Sequence, residues 1–567
     1  MARPEKVRLG EILVQQKLLT PEQLKLALEE QKRSGRKLGR VFVELGYVTE
    51  EEISEALAKQ LQIPYINLKY YNIKPEVTQK LTETQARRFR AIVVEDNPKS
   101  FKVGMADPTD LNAYDEISRI LKREIEIAVV TESELLAIVD RVYRRTGEIT
   151  GLAQELRLEL GDAAVDFGAM LTTPGAEEAP VVRLLQSVFE DATQVRASDI
   201  HIEPQERKLV IRFRIDGVLH LQTEADQKIA SALVLRLKLM SGLDISEKRL
   251  PQDGRFNVKI RNAVVDIRMS TMPTQYGESV VMRLLNQGGG ILTLEKLGMP
   301  AHILERLRVM LERPHGMMLV TGPTGSGKTT TLYAALAELN TTERKIITVE
   351  DPVEYRLPGI NQVQVHEKID LTFARVLRSA LRQDPDVILV GEMRDKETVE
   401  TGLRGALTGH MVLSTLHTND AVTTPIRLLD MGAPRYMVAL SLQMVLAQRL
   451  VRLICESCID TVELTPGERV WLTQEIGAKV DAHRYVKGKG CSNCNGTGYR
   501  GRTGVYEMLE MTRPVVDAAN HADPAQFIEV ATRAMGGHTL RAHAADLVTQ
   551  GKTTMEEAMR ISNQYDD

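Results

Sequence analysis

Apolar residues recur at helical spacing along the N-terminal stretch. Leu24, Ala27, Leu28 and Gln31 share one face of a predicted helix, and Ile53, Ala56, Leu57 and Gln60 repeat that face. The likeness is wider than one helix. The run from Arg8, Leu9 and Gly10 to Gln31 aligns with the run from Lys37, Leu38 and Gly39 to Gln60 at an offset of 29 residues, with Val14 over Val43, Thr20 over Thr49 and Glu22 over Glu51. Thr20 and Thr49 are each followed three residues on by Gln23 or Glu52, the pattern in which a hydroxyl caps the helix and the later side chain returns the bond. Two units, each a pair of short helices, are therefore predicted.

Downstream the period changes. Short strands at Ala91 to Val94 and Phe101 to Met105 alternate with helical patterns such as Ala113 to Leu121, a small α+β unit that completes a first domain over 1–145. Residues 146–178 run through Leu152 to Leu160 into a stretch rich in Gly, Ala, Thr, Pro and Glu, and read as a mobile linker. A helix from Val181 leads to Lys208 to Ile215, where Ile211, Phe213 and Ile215 alternate with Arg212 and Arg214 before the turn Asp216 and Gly217. That is half-buried antiparallel sheet, in a second domain over 179–290. Beyond about residue 300, buried strands each followed by a helix predict a mainly parallel α/β core over 291–567. The fold class is α/β, multidomain.

Composition narrows the function. With 567 residues, 43% hydrophobic and 26% charged, the chain is an ordinary globular protein of several domains. Its longest apolar runs, such as Met317 to Val320, fall far short of a membrane span, and no secretory apolar region is present, so a cytoplasmic location is expected. A net charge of -4 provides no global basic field, which argues against a nucleic-acid partner.

The candidate chemistry lies in the third domain. Gly322, Pro323, Thr324, Gly325, Ser326, Gly327, Lys328 and Thr329 match the phosphate-loop pattern at every required position, after the strand Met317 to Thr321 and before a helix opening at Thr330. The glycines turn backbone N–H groups around an ATP β-phosphate, Lys328 adds charge between β- and γ-phosphates, and the Thr329 hydroxyl ligates Mg2+. The strand Val387 to Val390 ends in Gly391 and Glu392, a carboxylate expected beside the loop to hold the magnesium shell. Ile347 to Glu354 delivers Glu350, Asp351 and Glu354 at another strand end. Thr408 to Asp420 is a strand bracketed by His410 and His417, a context that favours sensing of the γ-phosphate.

The four cysteines form two knuckles, Cys455 with Cys458 and Cys491 with Cys494, separated by 32 residues. Two thiolates from each complete a tetrahedral zinc site with no open position, so the metal is structural.

Taken in order, the phosphate loop, the acidic box Glu350 to Glu354, the Gly391–Glu392 strand end and the box His410 to His417 resemble those of the secretion ATPases that power type II secretion and type IV pilus assembly. The resemblance extends back through Arg196 to Glu203, Arg212 to Gly217 and Pro251 to Arg255. It implies a RecA-like P-loop core, carrying the tetracysteine module at about 450–510, behind a PAS-like α+β domain. It implies Glu354 as the residue that positions or deprotonates the attacking water and Glu392 as the magnesium-supporting one. It implies a homohexamer in which arginines of the second domain reach a γ-phosphate, with Arg236 and Arg255 as candidates, and an inner-membrane platform protein as partner. The zinc module is similar to that of assembly rather than retraction ATPases.

The repeat is also similar to the domain that binds cyclic di-GMP in some of these ATPases, and most similar to the mannose-sensitive haemagglutinin pilus group. The residues that carry this are Arg8, Leu9, Gly10, Leu13, Val14, Leu24, Leu28 and Gln31, then Lys37, Leu38, Gly39, Val43, Leu57 and Gln60. Glycine turns offer N–H groups to phosphate, an Arg plane stacks on guanine and leucines cover purine faces. The second copy begins with Lys37, has Phe42 and Ile53 for Leu13 and Leu24, and keeps Gly46 where the first has Lys17. A plain helical docking domain remains the alternative for the repeat, and a hexameric nucleic-acid translocase remains the alternative for the whole chain.

Overall fold

The computed structural model describes residues 9–34, 38–71, 73–143, 146–160, 179–260, 263–285, 292–521 and 523–562. The N-terminal repeat is four helices, Leu9–Gln15, Pro21–Ser34, Leu38–Glu44 and Glu50–Leu61. Thr49 and Glu52 form the reciprocal cap, and Thr20 and Gln23 exchange the same two bonds at 2.9 and 3.2 Å. The turn between helices is also copied. Lys17 and Gly46 both adopt positive φ, 60° and 69°, and Leu18 N donates to Leu13 O as Tyr47 N does to Phe42 O. Leu13 and Phe42, Leu19 and Val48, and Ala27 and Ala56 fill one shared core at matching repeat positions. A three-stranded sheet follows, with Ala91–Asp96 antiparallel to Ser100–Met105 and the latter parallel to Glu124–Val129 across the helix Leu111–Leu121.

The expected linker over 146–178 needs correction at its start. Residues Thr146–Leu160 are a helix that packs on the helix Pro180–Gln194 and the strand Val218–Asp226. Ile149, Leu152, Ala153, Leu156 and Leu160 are buried in the second domain's core. Their spacing is one helical stripe, which a compositional reading of the segment passed over; residues 161–178 lie outside the described residues. The sheet this helix covers has six antiparallel strands, in the order Val218–Asp226, Lys208–Ile215, Asp199–Pro204, Gly277–Leu285, Ala263–Thr274 and Gln252–Ile260.

The C-terminal core is a seven-stranded sheet in the order Asn361–Gln364, Ile346–Glu350, Val387–Val390, Met411–Leu416, Gly316–Thr321, Leu442–Ile454 and Tyr499–Glu510. All neighbours are parallel except the last pair. The four inner strands from Ile346 to Thr321 are buried on nearly every residue, as expected of a sheet covered by helices on both faces. Because they run parallel, their C-terminal ends open onto one edge, which is where such sheets take ligands. Among the described residues no helix is long and apolar enough to cross a membrane.

Candidate nucleotide site and metal centre

The phosphate loop leaves the strand Gly316–Thr321 and enters the helix Lys328–Leu339, which begins two residues before the expected Thr330. Gly322 has φ of 146°, and a Cβ there would lie 2.4 Å from the Gln448 carbonyl oxygen, so no larger residue fits without moving backbone. Gly325 and Gly327 also take positive φ. Gln448, from the strand Leu442–Ile454, braces the loop: its Nε2 donates to Ser326 O at 2.7 Å and its Oε1 accepts from the Thr331 hydroxyl at 2.8 Å. Lys328 Nζ donates to the carbonyls of Gly322 at 2.7 Å and Pro323 at 3.0 Å. Burial pushes its ammonium down to about 8, against the pull of Glu392 and with the help of Arg449. Thr324 and Thr329 are exposed, while Ser326 is buried.

The neighbouring strands deliver acidic groups to the same edge. Register pairs Thr321 with Leu416 and Val390 with Ser414, so Glu392 and His417 emerge beside the loop. Their side chains lie 3.5 Å apart, and Arg394 pairs with Glu392 while reaching Asp351 at 3.6 Å. His410 is different. Gly316 pairs with Met411, which leaves His410 at the opposite end of the strand, roughly 20 Å from His417 at ordinary strand rise, with Nδ1 3.0 Å from Gly405 O. The two histidines do bracket the strand Met411–Leu416, and only His417 stands on the edge that carries the loop. Glu350 is buried and accepts from the hydroxyls of Tyr333 and Thr348, and from Gln362 Nε2 at 3.2 Å. Desolvation and that carboxylate push the Tyr333 phenol well up, so it stays a donor.

Glu354 accepts from Arg268 Nη1 at 2.9 Å, and Arg268 also donates to Val353 O. Arg268 belongs to the six-stranded sheet, so this ion pair joins the second domain to the ATP edge. Arg255, one of the expected arginines, is held bidentate by Asp266 and feels the Glu354 charge. Arg236 sits on the helix Ala230–Met240 with its Nε buried and, among the described residues, without a hydrogen-bond partner. Arg268, Arg394 and Gln448 escaped the sequence reading because no motif carries them. Arg268 stands in a strand whose alternation was the only available signal.

The four cysteine sulfurs gather within 4.8 Å of one another. Cys455 and Cys491 are 3.8 Å apart, Cys458 and Cys494 3.8 Å, and Cys491 and Cys494 3.7 Å. A tetrahedron with zinc–sulfur bonds of about 2.3 Å has edges of about 3.8 Å, so the donor set fits that ion. The backbone N–H groups of Cys491 and Gly498 each donate to Cys494 Sγ at 3.1 Å, which favours a thiolate there.

In the repeat, Gly10 lies under Leu24, whose Cδ1 would be 2.3 Å from any added Cβ. Leu13 is fully buried in the repeat's own core, at the turn copied at Phe42. Leu28 and Val43 are each 40% exposed. Val14, Gln31, Leu38, Gly39 and Leu57 are partly buried and Gln60 is exposed. Arg8, Lys37 and the side chain of Leu9 lie outside the described residues.

A family model described as type II/IV secretion system protein matches residues 175–560, and one described as MshEN domain matches 61–149. The type IV pilus assembly ATPase PilB of Myxococcus xanthus is 40% identical over 562 residues, 97% of this chain and 98% of that protein. Type II secretion system protein E of Aeromonas hydrophila is 42% identical over 502 residues, 86% of this chain and 98% of that protein. Among solved structures, the ATPase DotB of Legionella pneumophila shares the fold, with a TM-score of 0.50 at 21% identity over 67% of this chain and 95% of that one.

Proposed function

Since the chain belongs to the type II/IV secretion system protein family and is an ATPase of that family, we propose that it powers assembly of a type IV pilus or a type II secretion pseudopilus. The observation that carries this reading is the glycine-cornered loop 322–329, braced by Gln448, on the same sheet edge as Glu392 and His417. Lys328 exchanges the carbonyls of Gly322 and Pro323 for β- and γ-phosphate oxygens. Thr329 and Glu392 supply the hard oxygen donors that hold magnesium, which neutralises phosphate charge when bound. Glu354 orients or deprotonates the attacking water after Arg268 lets it go, and His417 reports the γ-phosphate through Glu392. Loop residues Gly322 to Thr330 wrap the nucleotide.

The protein works as a homohexamer in the cytoplasm, peripheral at the inner membrane, where rotation of the second domain moves a platform protein. Arg236 and Arg255 are the candidates for reaching a neighbouring protomer's phosphate, Arg255 only after leaving Asp266. Cys455, Cys458, Cys491 and Cys494 hold a structural zinc. The test is ATP turnover of wild type and Lys328→Ala, with platform protein or with DNA added. Turnover that responds to the platform and vanishes in the variant is expected. Wild-type rates in the variant would refute the site, and stimulation by DNA alone would favour the translocase.

The repeat is proposed to bind cyclic di-GMP, one ligand per pair of units. Its two copies present matched turns, and the MshEN match adjoins them. The residues proposed to carry it are Arg8, Leu9, Gly10, Leu13, Val14, Leu24, Leu28 and Gln31 in the first unit and Lys37, Leu38, Gly39, Val43, Leu57 and Gln60 in the second, of which Leu28 and Val43 are each 40% exposed. The finer likeness to the mannose-sensitive haemagglutinin pilus ATPases rests on this repeat, whereas the likeness to PilB of Myxococcus xanthus extends over 97% of this chain. Calorimetry of the full chain with cyclic di-GMP, and with GTP as control, tests it. No heat, or equal affinity for both, returns the repeat to a docking role.

A further inference from the structure

Each cysteine knuckle carries one hydrogen-bonding side chain at its third position, Ser457 in the first and Asn493 in the second. Both donate to the same acceptor, the main-chain carbonyl of Lys69: Asn493 Nδ2 at 3.2 Å and Ser457 Oγ in a shorter contact. Asn493 Nδ2 also donates to Ser457 Oγ at 2.6 Å, which closes a ring of two knuckles and one carbonyl. The Lys69 ammonium turns back to Glu456, inside the first knuckle, at 2.8 Å. Residues around Lys69 are tied into their own unit, since Ile66 N donates to Val129 O at 2.9 Å and Leu68 N to Glu134 Oε2 at 3.2 Å. The helix Glu132–Val142, which bears Glu134, packs on the turn Ser492–Cys494.

We propose that the tetracysteine module is the docking surface for the N-terminal domain, a carbonyl clamp on Lys69 assembled from both knuckles. A carbonyl oxygen has two lone pairs and here both are used. Two donors from separate loops converge on one atom only when the loops are drawn together, which is what four thiolates around one ion do. This goes beyond the proposed function and rests on its zinc reading only for the metal's part. The first knuckle directly continues the strand that bears Gln448, seven residues before Cys455, so a change in docking acts on the element that braces the phosphate loop.

Trypsin cuts after lysine, so the clamped carbonyl of Lys69 is itself a probe. In the full chain, Ser457→Ala with Asn493→Ala leaves all four ligands in place. Zinc content should remain at wild-type level while cleavage after Lys69 rises by about tenfold, because proteolysis follows the open population. Unchanged cleavage with zinc retained would overturn the clamp. Lys69→Glu should expand the radius of gyration in small-angle scattering, and Glu456→Lys added to it should restore the compact value; failure of the paired reversal to restore it counts against the docking surface. Stripping metal with a chelator should expose Lys69 as the double variant does, and continued protection without metal would remove the metal from the clamp.

Discussion

Burial in the loop pushes the Lys328 ammonium down from its ordinary 10.5 to about 8, with Arg449 adding to the shift and Glu392 opposing it. A nucleotide supplies negative charge and restores the protonated form, so binding takes up a proton wherever the free lysine is neutral. If the complex keeps Lys328 charged, affinity is scaled by the fraction protonated beforehand. Between pH ~7.5 and ~9 that fraction falls about eightfold, or about 1.2 kcal/mol. The window starts above the last ionisation of a phosphate, near pH ~6. Stability slopes the other way: the unfolded chain holds more protons between about 8 and 10.5, so this group makes the empty fold gain stability as pH rises through that range. The assay is calorimetric titration of magnesium ADP in buffers of different ionisation enthalpy. Uptake of about half a proton at pH ~8 is expected, and Lys328→Arg should flatten the profile because arginine stays charged. A pH-independent wild-type affinity with no proton uptake, or an arginine variant with the same slope, would refute the reasoning.

Glu354→Gln should leave nucleotide affinity nearly intact while turnover falls by about 10²–10⁴, because the amide keeps shape without basicity; equal losses in binding and turnover count against the role. Gln448→Ala should lower the melting temperature and weaken nucleotide binding, since it strands the Ser326 carbonyl and the Thr331 hydroxyl at a cost of about 1–3 kcal/mol. An unchanged melt and affinity would show the brace to be idle. Cys455→Ala or Cys491→Ala should drop metal below one ion per chain and destabilise the C-terminal module, as read by elemental analysis and melting; a metal-free wild type with the same melt would contradict this.

Much of the site was legible because the chemistry is local. The loop Gly322 to Thr329 needs positive φ at three glycines within six residues, and only glycine adopts those angles without strain. The repeat was legible for a similar reason, since the caps at Thr20 and Thr49 and the turns at Lys17 and Gly46 are set within a few residues. The helix Thr146–Leu160 was missed because its flanking composition resembles a linker, although its apolar stripe was present; the core that needs the stripe comes from strands far along the chain.

Elements whose bonds close over a few residues can be read along the chain: the phosphate loop, the capped repeats and the two cysteine knuckles. What meets them is set by packing. Parallel register carried Glu392 and His417 to the loop and left His410 at the far end of the same strand. Sheet packing brought Arg268 to Glu354, 86 residues away, and Gln448 to Ser326, 122 residues away. The Lys69 carbonyl found Asn493 across 424 residues. Such pairings cost chain entropy that no local pattern offsets and are held by the burial of whole sheets and helix faces, so they are properties of the packed molecule rather than of any one segment.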